Sequence, residues 1–492
     1  MIPLGLITVA ALLPKTWDLK LVDHEFEEVT EDLWQWADMV LLTGMIAQKD
    51  DVLALVSQAR QRGKRVVVGG PYASELPEEP ANAGAHFVVT GEGESAIPIW
   101  LEALGRGVEK GIFHETEKTD LPGSPVPRFD LLDLDAYIMA SVQTSRGCPF
   151  SCEFCDIAAL YGNRLRHKSP DQVLGELKAL HEIGWEGPLF FSDDNFIGSR
   201  KHAVGILQEL LVWMKQEGQP FDFWTQASVN LGHDPELIDL MTAANFGFVF
   251  LGIESPNEEV LRQAHKGHNV SKPLLEAIRT INAGGLSIVG SVMIGFDGEK
   301  TGTGDQIREF IEEAGLPMVM INPLQAIPQT PLWKRLHQEG RLVKTDSGSY
   351  LTEFALNFTP TRPREEIVAE LLKLRSDLYE PAGYIERAYR FYLTMRPTRK
   401  ARRQGKHDPD DDLTSPVRKK RVKTQSLGEI RLLMRLIWVH GILARYRFLF
   451  WKRLWGIYRA NPSRLTAYLN CLGLGENVFY RHTMGSDGLG ES

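Results

Sequence analysis

The chain has 492 residues, 43% of them hydrophobic and 24% charged, with a formal net charge of −9. That is enough apolar material for two or three packed domains. The acidic balance gives no electrostatic footprint for nucleic acid, and four cysteines are too few for a secreted disulfide scaffold.

The opening run "MIPLGLITVAALLPKTWDLK" lacks the basic segment of a signal peptide, and its Pro and Gly punctuation predicts a helix between loops. "WADMVLLTGMIAQ", "KDDVLALVSQARQRG", "KRVVVGGPYAS" and "AHFVVTGEGESAIPIWLEAL" then read as alternating strands and helices over residues 1–115. Met39 to Leu42 and Val66 to Val68 are short apolar runs of the kind buried on both faces of a sheet. A doubly wound, Rossmann-like α/β domain is expected, with its ligand crevice at the strand carboxyl ends. The glycines of "GEGESA" have the wrong spacing for a dinucleotide fingerprint. Residues 116–137, rich in Pro and Asp and without helical periodicity, read as a linker.

"SRGCPFSCEFCDIAA", residues 145–159, holds Cys148, Cys152 and Cys155; the fourth cysteine, Cys471, reads as a buried helix residue. Structural zinc prefers a closed set of four ligands, which His167 would have to complete. Three thiolates at this spacing suit instead an iron–sulfur cluster with one iron left open. Downstream, "YIMASVQTSR", "GPLFFSDDNF", "FDFWTQASVN", "FGFVFLGIES", "LSIVGSVMIGFDGE" and "MVMINPLQAIPQTPL" read as strands. Helical segments alternate with them, one opened by Ser169-Pro170. This order argues for a parallel sheet with helical cover and its chemistry at the strand ends.

Cys-x3-Cys-x2-Cys, with Arg146-Gly147 ahead of it and Phe154 before the last cysteine, resembles the signature of the radical S-adenosylmethionine (SAM) superfamily. The resemblance implies a partial (β/α)6 barrel over 138–345 and a 4Fe–4S cluster on Cys148, Cys152 and Cys155. SAM would chelate the open iron and be cleaved to a 5′-deoxyadenosyl radical. By the same resemblance Phe154 adjoins SAM, and Asp193, Asp194 and Asn195 meet its amino group. Glu254 and Ser255 would meet the ribose hydroxyls, and Gly295 would flank adenine.

The loops "LLTGM", "VVVGGPYAS" and "TGEGE" resemble those of the cobalamin-binding domain that precedes the barrel in B12-dependent radical SAM enzymes. That implies cobalamin at Thr43, Gly69, Gly70, Pro71, Gly91 and Glu92. The lower-ligand signature D-x-H-x-x-G is absent, since Asp23 and His24 are adjacent and no glycine follows. A cobalt without a histidine ligand is expected, and a domain lacking the family's first strand.

Residues 346–492 are expected to form a mainly helical extension. Tyr379, Pro381 and Tyr384 resemble the extension in a branch that includes hopanoid C-methylases. A charged loop is expected near 397–425. The stretch "SLGEIRLLMRLIWVHGILARYRFLFWKRLWGIYRANPSRLTAYL" interleaves arginines with aromatic residues, and three readings stay open. They are a core helix pair with snorkelling arginines, a face on a membrane surface, and nucleic-acid contact, which the net charge does not favour. Arginine every few residues excludes a simple span.

The resemblance implies a cobalamin-dependent radical SAM methyltransferase acting at an unactivated carbon of a small molecule or lipid. It would use a low-potential donor of flavodoxin or ferredoxin type in a reducing cytoplasm. A peripheral membrane station through the C-terminal helices is a further option. Two alternatives stay open: a cyclase or oxidase of the same architecture without methyl transfer, and a non-catalytic cobalamin or redox sensor. A methylthiolation enzyme usually carries a second cysteine trio, and residues 1–147 contain no cysteine.

Overall fold

The computed structural model describes residues 1–270, 273–343, 356–398, 401–402 and 433–485, with side chains followed to residue 475. The charged loop expected near 397–425 lies almost wholly outside the described residues. Two compact units form: Met1–Glu209 with Pro220–Gln226 and Gln325–Thr359, and Leu210–Gln219 with Ala227–Leu324 and Pro360–Ser492. The N-terminal sheet and the cysteine loop therefore belong to one unit.

In the first unit, β1 (Met39–Thr43), β2 (Arg65–Gly69), β3 (Phe87–Thr90) and β4 (Gly111–His114) pair in parallel in that order. Alternation of side chains gives the sheet two apolar faces. Val66, Val68 and Val88 meet Val52, Val56 and Ala59 of the helix Lys49–Gln61. On the other face, Val67, Phe87 and Val89 pack on Ile97 and Trp100 of the helix Gly93–Gly105. The expected N-terminal helix forms as Leu4–Leu12 and adds Val9 and Leu12 to this second layer. The strand β4 has no forecast in the sequence reading, because "GIFH" is too short and too glycine-led to stand out from a loop.

The chain then enters β5 (Ala140–Val142). The short strands β6 (Ser145–Arg146) and β7 (Arg166–His167) pair antiparallel and close the neck of the cysteine loop. Parallel pairing sets β8 (Gly187–Phe191) between β5 and β9 (Phe221–Ala227). The intervening helix Pro170–Glu182 starts where expected, because Ser169 and Gln172 cap each other's backbone N–H groups.

In the second unit, β10 (Phe246–Glu254), β11 (Ser287–Ile294) and β12 (Met318–Pro323) pair in parallel, joined through the helices Leu274–Gly284 and Thr303–Ala314. An edge strand exposes unpaired backbone groups. The outer backbone of β12 is met by the helical extension instead. Tyr379 Oη accepts from Val319 N (3.0 Å) and donates to Val319 O (2.6 Å), and Arg375 Nε donates to Ile321 O (3.0 Å). Fully buried Arg387 bonds Leu316 O (2.7 Å), Leu378 O and Glu312. Cys471 is buried, its carbonyl accepting from Tyr384 Oη at 2.7 Å. The mainly helical extension is thus built around β12.

Candidate functional site

The three sulfurs sit on a loop whose start demands glycine. Gly147 has φ +89°, and a Cβ there would lie 2.7 Å from Arg164 O and 2.9 Å from Gly162 O. Cys152 is buried, Cys148 and Cys155 are half-buried, and none forms a disulfide. Burial pushes the Cys155 thiol up to about 12.

Two aspartates from the end of β8 brace this loop. Asp193 is fully buried and accepts from Thr144 N (2.7 Å), Ser145 N (2.6 Å) and Thr144 Oγ1 (2.7 Å). Two backbone N–H groups and one hydroxyl next to the cysteine loop take most of its acceptor capacity, so it serves as a brace in addition to any role toward SAM. Burial pushes its carboxyl up to about 6, against the pull of those donors. Asp194 Oδ2 accepts from Gly147 N at 2.8 Å, and burial, reinforced by Asp193 and Asp156, lifts it to about 7. Asn195 is buried beside them, and Phe154 is half-buried. His167 stacks on His202 with ring centroids 4.1 Å apart, and His202 in turn meets Thr144 Oγ1 at 3.3 Å.

The strand ends β1, β2 and β3 bring Thr43, Gly69, Gly70, Pro71 and Gly91 together. Thr43 and Gly69 are register partners, and Gly91 N donates to Ser74 Oγ (2.9 Å), whose hydroxyl donates to Gly70 O (2.8 Å). Gly70, at φ +84°, is required by the chain itself: a Cβ would lie 2.1 Å from Thr43 Oγ1. Gly69 differs. Its φ is −139° and a Cβ would meet nothing closer than Val89 O at 3.4 Å, so the protein's own packing does not demand glycine there.

Glu92, expected at cobalamin, has its side chain committed to two arginines. Its carboxylate, with no exposed surface, accepts from Arg146 Nη1 and Arg166 Nη1, each at 2.8 Å. Glu94 takes the rest of Arg146, with Oε1 at 2.7 Å from Nη2 and Oε2 at 2.9 Å from Nη1. The Arg146 guanidinium holds Glu94 down at about 2 despite its burial. A guanidinium takes two carboxylates this way because its fork offers paired, parallel donors. The "TGEGE" loop is thereby tied to the Arg-Gly that precedes Cys148. Sequence reasoning missed this role for Arg146, since the partners are more than fifty residues apart.

It also missed Glu75. This residue ends the helix Gly70–Glu75 and is 3% exposed, and its Oε2 has no hydrogen-bond partner. Burial, with Asp156 adding repulsion, lifts its pKa to about 8. No pattern in "PYASELPEE" marks it.

In the second unit, β10 ends in a bulge between Gly252 and Glu254, and Glu254 itself has φ +65°. Its Oε1 accepts from Lys266 Nζ at 2.6 Å, and Asn269 Nδ2 holds the carbonyls of Gly252 and Ile253, each at 3.0 Å. A Cβ at Gly252 would lie 2.4 Å from Glu254 Oε1. The residues that aim this strand end, Lys266 and Asn269, carried no sequence signal. Ser255 is buried, and its Oγ accepts from Asn257 N (3.2 Å). Gly295, at φ +111°, ends β11 and donates its N–H to Glu299 Oε2 (2.8 Å).

Three thiols without a disulfide on a glycine turn at a strand end, in one unit with a glycine-edged α/β sheet, fit a radical SAM centre beside a B12-binding fold. Family models agree: the B12 binding domain matches residues 1–101, the radical SAM superfamily 142–313, and a domain of unknown function 330–485. The chain is 42% identical to an uncharacterised methyltransferase of Synechocystis sp., covering 99% of this chain and 88% of the relative. It is 33% identical to the hopanoid C-2 methylase of Rhodopseudomonas palustris, covering 92% and 82%. OxsB, a cobalamin-dependent SAM radical enzyme solved with aqua-cobalamin and SAM, shares the fold. Its TM-score is 0.57 at 14% identity, over 93% of this chain and 73% of that one. The chain belongs to the family of cobalamin-dependent radical SAM methyltransferases. Its cofactors are a 4Fe–4S cluster, SAM and cobalamin.

The residues present fit these groups. Cys148, Cys152 and Cys155 lie on one short loop without a disulfide, and thiolates at short spacing are the donor set of an iron–sulfur cluster. The room at Gly69 and the unpartnered Glu75 Oε2 fit a polar cofactor beside the N-terminal sheet.

Proposed function

We propose that this methyltransferase acts at an unactivated carbon of an apolar, lipid-class acceptor, and that the buried tie between Glu92, Glu94, Arg146 and Arg166 carries its catalytic geometry. The likeness to a hopanoid C-2 methylase supports the acceptor class. When bound, the cluster with SAM supplies a hydrogen-abstracting radical and cobalamin supplies the methyl group. The chain's own contribution is positioning. Cys148, Cys152 and Cys155 hold the cluster, and Phe154 adjoins SAM. Asp194 and Asn195 take the SAM amino group, with Asp193 bracing the strand beneath them. Glu254, aimed by Lys266, and Ser255 take the ribose hydroxyls, and Gly295 lets the backbone approach adenine. Thr43, Gly69, Gly70, Pro71 and Gly91 line the cobalamin tail, and protonated Glu75 offers a hydrogen bond to a polar group of a bound cofactor. The proposed domains are 1–115, a linker over 116–137, 138–345 and 346–492. Electrons come from a flavodoxin- or ferredoxin-type donor in a reducing cytoplasm.

The single observation behind this reading is that the "TGEGE" loop of the N-terminal sheet and the cysteine turn share one buried salt-bridge network. Gly69→Val tests it. A Cβ at Gly69 meets only ordinary contacts, so the variant should keep its thermal midpoint, iron content and 5′-deoxyadenosine formation while losing cobalamin and product methylation. Undiminished cobalamin binding would remove Gly69 from the site. A parent enzyme that forms no 5′-deoxyadenosine under reduction would point to a sensor rather than a catalyst.

A further inference from the structure

The helix Arg447–Ala460 turns aromatic side chains toward water. Phe448, Trp451, Trp455 and Tyr458 recur at the spacing of one helical face and are 75%, 44%, 60% and 53% exposed. The opposite side carries Phe450 and Ile457, both buried. Arg453 there donates to Glu386 Oε2 (2.6 Å) and lies over the Tyr389 ring. One stripe of the helix is therefore docked, and among the described residues nothing covers the other. The preceding π-helical turn, Ile437–Leu443, adds exposed Trp438, Ile442 and Leu443. The two segments are pinned together: Trp451 Nε1 donates to Gly441 O (2.9 Å), and a Cβ at Gly441 would press on the indole at 3.0 Å.

Charge marks the same face. Arg447, Lys452 and Arg459 are exposed along the edges of the aromatic stripe. From Leu433 to Gly475 the sequence has seven Lys or Arg residues and no Asp or Glu, in a chain whose net charge is −9. No described helix is long and apolar enough to cross a membrane.

We propose that this face docks, in the plane of the interface, on a bilayer of anionic phospholipid. Indole and phenol rings combine an apolar body with a polar tip and settle at headgroup depth. Ile442 and Leu443 add aliphatic surface that a hydrocarbon boundary takes up and a phosphate backbone does not. The flanking cations match anionic headgroups. A second copy of the chain would instead set Arg447, Lys452 and Arg459 against the same cations of its partner.

The test uses the full-length holoprotein under anaerobic conditions, sedimented with vesicles of phosphatidylcholine alone or mixed with phosphatidylglycerol. Three cations at an anionic surface should raise partition on the mixed vesicles by about tenfold or more. Phe448→Glu with Trp455→Glu should abolish binding to both. Lys452→Glu with Arg459→Glu should lower only the anionic component, by about thirtyfold or more. Because all four side chains are exposed, both variants should keep the parent's thermal midpoint, iron content and SAM cleavage. Cleavage and vesicle partition are read separately, so failure of docking and failure of the methyltransferase reading are distinguishable. Equal partition of parent and both variants on mixed vesicles overturns the proposal. So does a parent that ignores vesicles yet forms a dimer, or binds DNA, in a manner the same substitutions abolish.

Discussion

Asp193 and Asp194 are neighbours in sequence with different tasks. Asp193 satisfies two buried backbone N–H groups and the Thr144 hydroxyl next to the cysteine turn. Asp193→Ala leaves those donors unpaired, at a cost of about 3 kcal/mol. The urea midpoint should fall and iron incorporation with it. Glu254→Gln acts in the other unit and should leave iron content unchanged while weakening SAM binding; equal iron loss in both variants would refute this separation. Glu75 gives a pH signature. Its folded pKa, about 8, lies above the ordinary 4.5, so the folded chain keeps a proton that the unfolded chain gives up. The stability tied to that proton is present below about pH 4.5 and is lost as pH rises through about 8. Glu75→Gln mimics the protonated form. Its thermal midpoint should match the parent near pH 5 and exceed it near pH 8.5, and a variant that lags at the higher pH would exclude a buried neutral acid.

At the scale of elements, the tie between the "TGEGE" loop and β6 is the joint that matters most. Removing one partner of a buried ion pair strands the other, at about 3–5 kcal/mol. Arg146→Met strands Glu94, leaves Glu92 with Arg166 alone, and should destabilise by that amount in denaturant titration. Glu94 is held at about 2, below its ordinary 4.5, so its contribution is complete above about pH 4.5 and disappears as pH falls toward 2. Glu94→Gln should therefore lower stability at pH 8, converge on the parent as pH falls toward 2, and so flatten the acid limb of the stability curve. An unaltered acid limb would show that Arg146 is not what holds this carboxylate. The arginine–aromatic stretch divides by face: Phe450, Ile457 and Arg453 pack as core, whereas Phe448, Trp451 and Trp455 do not.

Across the whole molecule, chemistry is concentrated in few thiols. The Cys148, Cys152 and Cys155 triple alanine variant should fall from about four irons per reconstituted chain to almost none. Cys471→Ala should keep its iron and lose some stability, since that side chain is fully buried against Tyr384. Iron retained in the triple variant would relocate the cluster. Charge is as unevenly spread as sulfur: a net negative chain carries Lys and Arg but no Asp or Glu from Leu433 to Gly475.

What the amino-acid sequence determined was whatever is written locally. Thiols at short spacing, valine runs, the Ser169-Pro170 helix start and the strand–helix alternation each depend on residues within a few positions of one another. They were legible for that reason, as were the loops that resemble cobalamin and SAM sites. Burial and partnership are not local properties. Glu92 pairs with Arg146 across 54 positions, Asp193 braces Thr144 across 49, and β4 is a strand only because β3 lies beside it. Glu75 reads as one more acidic residue until its neighbours remove water and give it no partner. The same holds for the last helix face. Periodicity shows that aromatic residues share a stripe, but only packing decides which stripe is covered, because either side of such a helix could bury itself.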